Sequence, residues 1–230
     1  MNFVDDQSAT LKMQELLNYL YTSSDLATRY IQEVSFQKND IIVEPNDSSN
    51  FFYLVQSGVA FVEAWTESNE REVLYFLTSN QLYSPESLYD DFKGYLNLFP
   101  RQLRAASDLS AYKIDCDFMM DHLYAQPKHL NFLFLTALRE LSSAQLIFHI
   151  HKFPTEERID RMLQVIASAS GEQASESVLL PSAINQSVLA SLCGLSQSAI
   201  SIRLKKLVKE GILSSTHTPL QILKPNFLPH

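Results

Sequence analysis

The sequence predicts an α+β chain in three parts: an N-terminal β-sandwich or jelly roll, a long helix, and a C-terminal winged helix-turn-helix. Three observations carry this. Short apolar runs between residues 36 and 115 are separated by turn residues, the pattern of an antiparallel β fold. Leu130, Phe134, Ala137, Leu141, Ala144, Phe148 and His151 then recur at spacings of 4, 3, 4, 3, 4 and 3, the seam of a two-helix coiled coil. Asn185 to Leu213 reads as a short helix, a tight turn and a longer helix ended by a glycine. The parts divide as 1–126, 127–153 and 154–230.

A chain of 230 residues with 46% hydrophobic content has room for real cores and is not a disordered polymer. No run approaches the ~20 apolar residues that span a bilayer. The first residues, MNFVDDQSATLKM, hold two acids and lack a basic-then-apolar signal pattern, so the expectation is a cytoplasmic protein with no membrane partner.

The net charge of −8 is unevenly spread. Residues 1–153 carry 11 Lys and Arg against 20 Asp and Glu, and residues 154–179 carry 2 against 5. Residues 180–230 reverse the balance, with 5 against 1. The basic charge therefore sits on the segment with the helix-turn-helix, as contact with phosphates requires. Two cysteines, Cys116 and Cys193, make neither a disulfide framework nor a closed metal site. No metal and no cofactor are expected.

Taken in order, residues 8–33 read as helical, with Leu11, Leu16, Leu17, Leu20 and Leu26 recurring and Ser23-Ser24-Asp25 as a break. Strands follow at Ile41–Val43, Phe51–Val55, Val59–Trp65, Val73–Leu77, Leu103–Ala106 and Ala111–Ile114, with Gly58 in one of the turns. The segment around Tyr83, Tyr89, Phe92, Tyr95 and Phe99 is rich in aromatics, which reads as core and loop packing or as an apolar pocket for a small effector. Pro127 opens the long helix. A second apolar edge, Leu133, Leu138 and Ile147, faces a different way from the seam. A helix apolar on two sides needs two partners, and a homodimer supplies the second. His149 and His151 point in different directions on a helix and are not read as a metal pair.

Phe153-Pro154-Thr155 breaks that helix, and Pro154 followed by Glu156 and Glu157 restarts the next, with Ile159, Met162, Leu163 and Ile166 on one face. Val178 to Pro181 begins a small strand pair. Asn185 caps the first helix of the motif, Gly194 permits the turn, and Ser196 caps the second helix. In that helix Ile200, Leu204, Leu207 and Val208 form the inward stripe, while Gln197, Ser198, Ser201, Ile202 and Lys205 face out. Gly211 to Leu213, a polar turn through Thr216 and His217, and Leu220 to Leu223 read as a hairpin, the wing.

An outward polar and basic face suits a helix that enters the major groove of duplex DNA. Gln197, Ser198, Ser201 and Ile202 are placed to face base edges, Gln197 toward an adenine and Ile202 toward a thymine methyl. Ser187, Ser196, Arg203, Lys205, Lys206, Thr216 and His217 would lie near phosphates.

With Ala190, the Gly194-Leu195-Ser196 turn, Ile200, Leu204, Leu207, Lys209-Glu210-Gly211-Ile212 and Ile222-Leu223, the sequence resembles the Crp/Fnr family of transcription regulators. The resemblance covers nearly the whole chain. Phe52 to Val59 matches the family's second hairpin, and Asn39 to Asp47 its first. It implies a double-stranded β-helix of the cyclic-nucleotide-binding type, a dimerisation helix, and a homodimeric DNA-binding regulator with RNA polymerase and an unidentified small-molecule effector as further partners. Tyr83, Glu86, Arg101 and Arg104 are the positions that correspond to the effector pocket. The family's phosphate cassette is not matched, since the turn reads Asn80-Gln81-Leu82-Tyr83-Ser84-Pro85-Glu86, with Ser84 for a glycine and no Arg-Ser or Arg-Thr pair downstream. Regulation is therefore expected to be independent of a cyclic nucleotide. The family's arginines at the start of the reading helix and at Ile202 are also missing, which leaves a protein-interaction module without DNA affinity as an alternative. A cupin-type enzyme shares the jelly roll but needs His ligands, and residues 36–115 contain none.

Overall fold

The computed structural model describes residues 6–22, 24–45, 47, 50–65, 71–85, 88, 101–174, 177–224 and 227. The chain divides into two compact units, Val4–Ser142 and Ser143–His230.

In the first unit, α1 (Asp6–Leu20) and α2 (Ser24–Tyr30) precede eight strands. These are β1 (Ile31–Phe36), β2 (Ile41–Val43), β3 (Phe51–Ser57), β4 (Ala60–Trp65), β5 (Arg71–Leu77), β6 (Leu82–Tyr83), β7 (Arg101–Ala105) and β8 (Leu109–Asp115). They form two four-stranded antiparallel sheets, ordered β1-β8-β3-β6 and β2-β7-β4-β5. Helix α3 (Cys116–Ala125) follows, capped by the Asp115 carboxylate accepting from the Phe118 amide at 2.9 Å.

Strand β3 shows why the roll holds two cores. Its side chains alternate. Tyr53 and Val55 enter the interior shared with Val62, Leu77, Tyr83 and Leu103. Phe52 and Leu54 face the other way, into a cluster with Leu16, Leu20, Phe118, Met119 and Leu123 from the helices. A strand buried on both faces reads as a continuous apolar run, which is what FFYLV is. Each such side chain contributes about 1.5–3 kcal/mol by leaving water.

Two expectations are corrected here. Residues 31–33 are not helical, because Ile31 to Phe36 pairs along its whole length with β8, from Ile31 opposite Ile114 to Phe36 opposite Leu109. Leu130, read as the first seam residue, packs on the helix-side core with Phe132 and Leu133.

After a 3₁₀ turn at Pro127–His129, α4 (Leu130–Ile150) begins within the first unit and ends in the second. Its remaining seam residues face solvent: Phe134, Leu141 and Phe148 are 62%, 55% and 66% exposed, and Ala137 and Ala144 are exposed beside them.

The second unit holds α5 (Thr155–Ser170), β9 (Glu172–Ala174), β10 (Ser177–Leu179), α6 (Gln186–Cys193), α7 (Gln197–Lys209) and β11 (Gln221–Ile222). The strands form a three-stranded sheet ordered β11-β10-β9, and α5, α6 and α7 pack against one another. Ile159, Leu163 and Ile166 of α5, Leu189 and Cys193 of α6, and Ile200, Leu204 and Leu207 of α7 are all fully buried.

Candidate nucleic-acid interface

The N-terminus of each helix in the helix-turn-helix is capped by the residue that precedes it. The Asn185 side chain accepts from the Val188 amide at 3.0 Å, and the Ser196 hydroxyl accepts from the Ala199 amide at 3.3 Å. Between them Gly194 takes the left-handed conformation, φ 59° and ψ 44°, and the chain bends by 111°. Two side chains brace this turn from behind. His151 Nε2 lies 2.9 Å from the Leu192 carbonyl, and Arg158 Nη1 donates to the Cys193 carbonyl at 3.2 Å.

Helix α7 presents Gln197, Ser198, Ile202 and Lys205 to solvent, with Ser201 half-buried between them. These positions are one, four, five and eight residues beyond Gln197, so they share one face of the helix. Ile202 stands out: it is 68% exposed at the centre of that face. Ser187 on α6 is exposed, and Ser196 is exposed while its hydroxyl lies 2.9 Å from that of Ser198.

The wing is built as a hairpin. The Ser214 amide donates to the Gln221 carbonyl at 3.0 Å and the Leu223 amide to the Ile212 carbonyl at 2.7 Å. His217 is exposed at its tip, and Thr216 is half-buried, its carbonyl accepting from Gln186 Nε2 at 3.2 Å. Gln186 thus ties the first helix of the motif to the wing. Nothing in its local sequence marked it, since its partner is 30 residues away.

Arg203 is the main correction at this face. It is not a phosphate ligand on the surface but is 8% exposed. Nε and Nη2 donate to the two Asp160 carboxylate oxygens at 2.8 and 2.5 Å, and Nη1 lies 3.4 Å from both Glu156 and Glu210. Its hydrogen bonds to Asp160 hold the guanidinium pKa above its usual value. Lys206 stays half-exposed, with its ammonium 2.7 Å from Glu156. That contact holds the Glu156 carboxyl below the usual carboxylate range.

In the first unit the structure brings Tyr83 and Arg101 together at one pocket, with Val43, Glu44, Phe51 and Pro85. Arg104 is corrected: it does not join them. Strand residues alternate, so Arg104 lies on the opposite face of β7 from Arg101 and Leu103. There it is bound by the buried Glu63, which accepts from Arg104 Nε at 3.0 Å, from its Nη2, and from Gln102 Nε2 at 2.6 Å. A cyclic phosphate would need a committed cation and backbone donors at this turn. Arg104, engaged by Glu63, and Pro85, which has no N–H, supply neither; Arg101 is the cation that lines the pocket. Glu86 and the aromatic segment at Tyr89, Phe92, Tyr95 and Phe99 lie outside the described residues. Among the described residues no group of three or more His, Cys, Asp or Glu could hold a metal ion.

Both thiols are buried. Burial, with Asp117 and Asp115 nearby, pushes the Cys116 thiol up to about 11, and burial pushes the Cys193 thiol up to about 12. Both stay protonated at neutral pH.

A winged helix-turn-helix DNA-binding family model matches residues 182–214, the segment from the end of the strand pair to the start of the wing. Over nearly the whole chain, the structure is similar to a cyclic-nucleotide-binding-domain protein from Listeria monocytogenes. That similarity has a TM-score of 0.78 at 25% identity and covers 95% of this chain and 100% of that one. The chain has the fold of the Crp/Fnr transcription regulators. FixK2 from Bradyrhizobium japonicum shares it with a TM-score of 0.71 at 16% identity, covering 87% of this chain and 98% of that one. A CRP/FNR-family transcriptional regulator from Thermus thermophilus does so at 0.65 and 17%, covering 85% and 95%. No curated protein matches the sequence. The Crp/Fnr architecture accounts for the winged module and the antiparallel roll, while the exposed Ile202 on the outward face of α7 and the buried Arg203 belong to this sequence.

Proposed function

We propose that this chain is a sequence-specific, DNA-binding transcription regulator that acts as a homodimer and does not depend on a cyclic nucleotide. The observation that carries the reading is the outward face of α7, where polar, apolar and cationic side chains stand free of the core on a helix capped at its N-terminus by Ser196. Two such helices about one DNA turn apart, ~34 Å, would each read a half-site. Gln197, Ser198, Ser201 and Ile202 face base edges in this reading. Ser187, Ser196, Lys205, Lys206, Thr216 and His217 lie toward the backbone.

The exposed stripe Phe134, Ala137, Leu141, Ala144 and Phe148 supports the dimer, because a contiguous apolar helix face of this length calls for a covering partner. A small effector other than a cyclic nucleotide would act at Tyr83 and Arg101, whose cleft has no room for it as it stands and would have to open. RNA polymerase is the further protein partner. The protein is not an enzyme in this reading, and it works in the cytoplasm; no single described helix is long and apolar enough to cross a membrane.

Selection of binding sites from random duplexes, followed by gel shift with unrelated competitor DNA, tests it. The expected result is a two-fold-related consensus that competitor does not displace. Retardation lost equally to any competitor would leave the protein-interaction reading.

A further inference from the structure

We infer that Ile202 makes this protein a reader of the 5-methyl group of thymine at one fixed position in each DNA half-site, an inference that rests on the DNA-binding reading above.

The argument starts from helix rotation. Successive residues on a helix are turned by about 100°. Arg203 is anchored inward by both carboxylate oxygens of Asp160. That anchor, with the fully buried Ile200 and Leu204 each turned by about 200° from Ile202, fixes the rotation of α7 and leaves Ile202 on the outward side, 68% exposed. Its neighbours on the face are Ser198 and Ser201, short side chains that leave the isoleucine as the most protruding apolar group. At 68% exposure Ile202 adds little to the core, and isoleucine is a poorer helix former than many alternatives.

In the major groove a thymine methyl is the apolar group that a base pair presents, and it is absent from cytosine and uracil. Isoleucine has no hydrogen-bonding atoms, so at this position it can discriminate only by apolar contact. Lys205, three residues on, and Gln197, five residues back, lie on either side of it along the helix, where a backbone contact and an adenine contact would set its register. The chemistry selected is therefore a 5-methylpyrimidine beside Ile202.

The test uses the full chain and the duplex recovered by selection from a random pool. That duplex is resynthesised with each thymine in turn replaced by deoxyuridine, which removes one methyl and keeps the pairing. At one thymine per half-site the loss should be about fourfold, the worth of one buried methyl-sized group. Replacing both in a two-fold-related site should cost about 15-fold. In Ile202→Ala the thymine and uracil duplexes should bind equally, with the helix intact by circular dichroism, since the position is exposed.

Equal binding of every uracil-substituted duplex by the unaltered protein overturns the inference and leaves DNA binding standing. A thymine preference that persists in Ile202→Ala overturns it as well. Failure to recover any duplex overturns both this inference and the reading beneath it.

Discussion

Arg203 on α7 and Asp160 on α5, 43 residues apart in sequence, form a two-point ion pair whose guanidinium is almost fully buried. The pair joins the helix with the candidate reading face to the helix that opens the second unit. Burying a guanidinium is unfavourable unless its donors are matched, and here Asp160 is reinforced by Glu156 and Glu210 at 3.4 Å. Asp160→Ala leaves the cation with only those longer contacts and should destabilise the second unit by about 3 kcal/mol. Arg203→Met keeps the packing without the charge and should cost about 1–2 kcal/mol. The double variant should be better than additive, by urea denaturation followed in the far ultraviolet.

The stripe on α4 predicts a mass. Sedimentation at micromolar concentration should give twice the 26.2 kDa of one chain. Leu141→Asp should give a single chain with unchanged thermal unfolding of the roll, because Leu141 is 55% exposed in the monomer and no core is disturbed. Placing two carboxylates in an apolar seam leaves them without partners.

Two glycines separate conformational strain from collision. Both have positive φ, Gly194 at 59° and Gly58 at 91°. An added Cβ at Gly194 meets nothing nearer than His151 Cε1 at 3.4 Å, so Gly194→Ala should cost about 1–2 kcal/mol, the left-handed penalty alone. At Gly58 the Cβ would lie 2.3 Å from the Asp108 carbonyl oxygen and 2.9 Å from Leu109 Cα, both main-chain atoms. Gly58→Ala should cost clearly more, about 3 kcal/mol, and act on the roll.

Glu140 gives a pH dependence. It lines a groove with Ser84, Leu88 and Thr136, and burial raises its carboxyl pKa despite the opposing Arg101. A carboxyl whose folded pKa is raised binds its proton more tightly in the folded state. Its favourable contribution is therefore present below the unfolded pKa and is lost as pH rises through the folded value. Glu140→Gln should raise the melting temperature at pH 7 and leave it nearly unchanged below about pH 4. A scan of both proteins from pH 3 to 8 reads the difference.

What the sequence made legible was local. Caps, the Gly194 turn and the inward stripe of α7 are each set by residues within four positions of one another, and they stand where the spacing puts them. What it hid depends on distant partners. Ile31 to Glu33 read as the tail of a helix until β8, about 80 residues later, supplies their ladder. Arg203 reads as a surface cation until Asp160 is placed beneath it, and Arg104 as a ligand cation until β4 brings Glu63 opposite β7. In each case a charged or half-apolar residue took its role from a pairing that no local pattern encodes.

The most direct test of the reading face is the salt dependence of binding to a selected duplex. Each phosphate contact neutralised by a lysine adds about 0.9 to the slope of log K against log salt. Lys205 is exposed, whereas Lys206 is already engaged by Glu156. Lys205→Ala should therefore lower the slope by about one per contact at every sequence tested, with Lys206→Ala lowering it less. A slope unchanged by Lys205→Ala, or no binding to any duplex at 50 mM salt, would contradict the account.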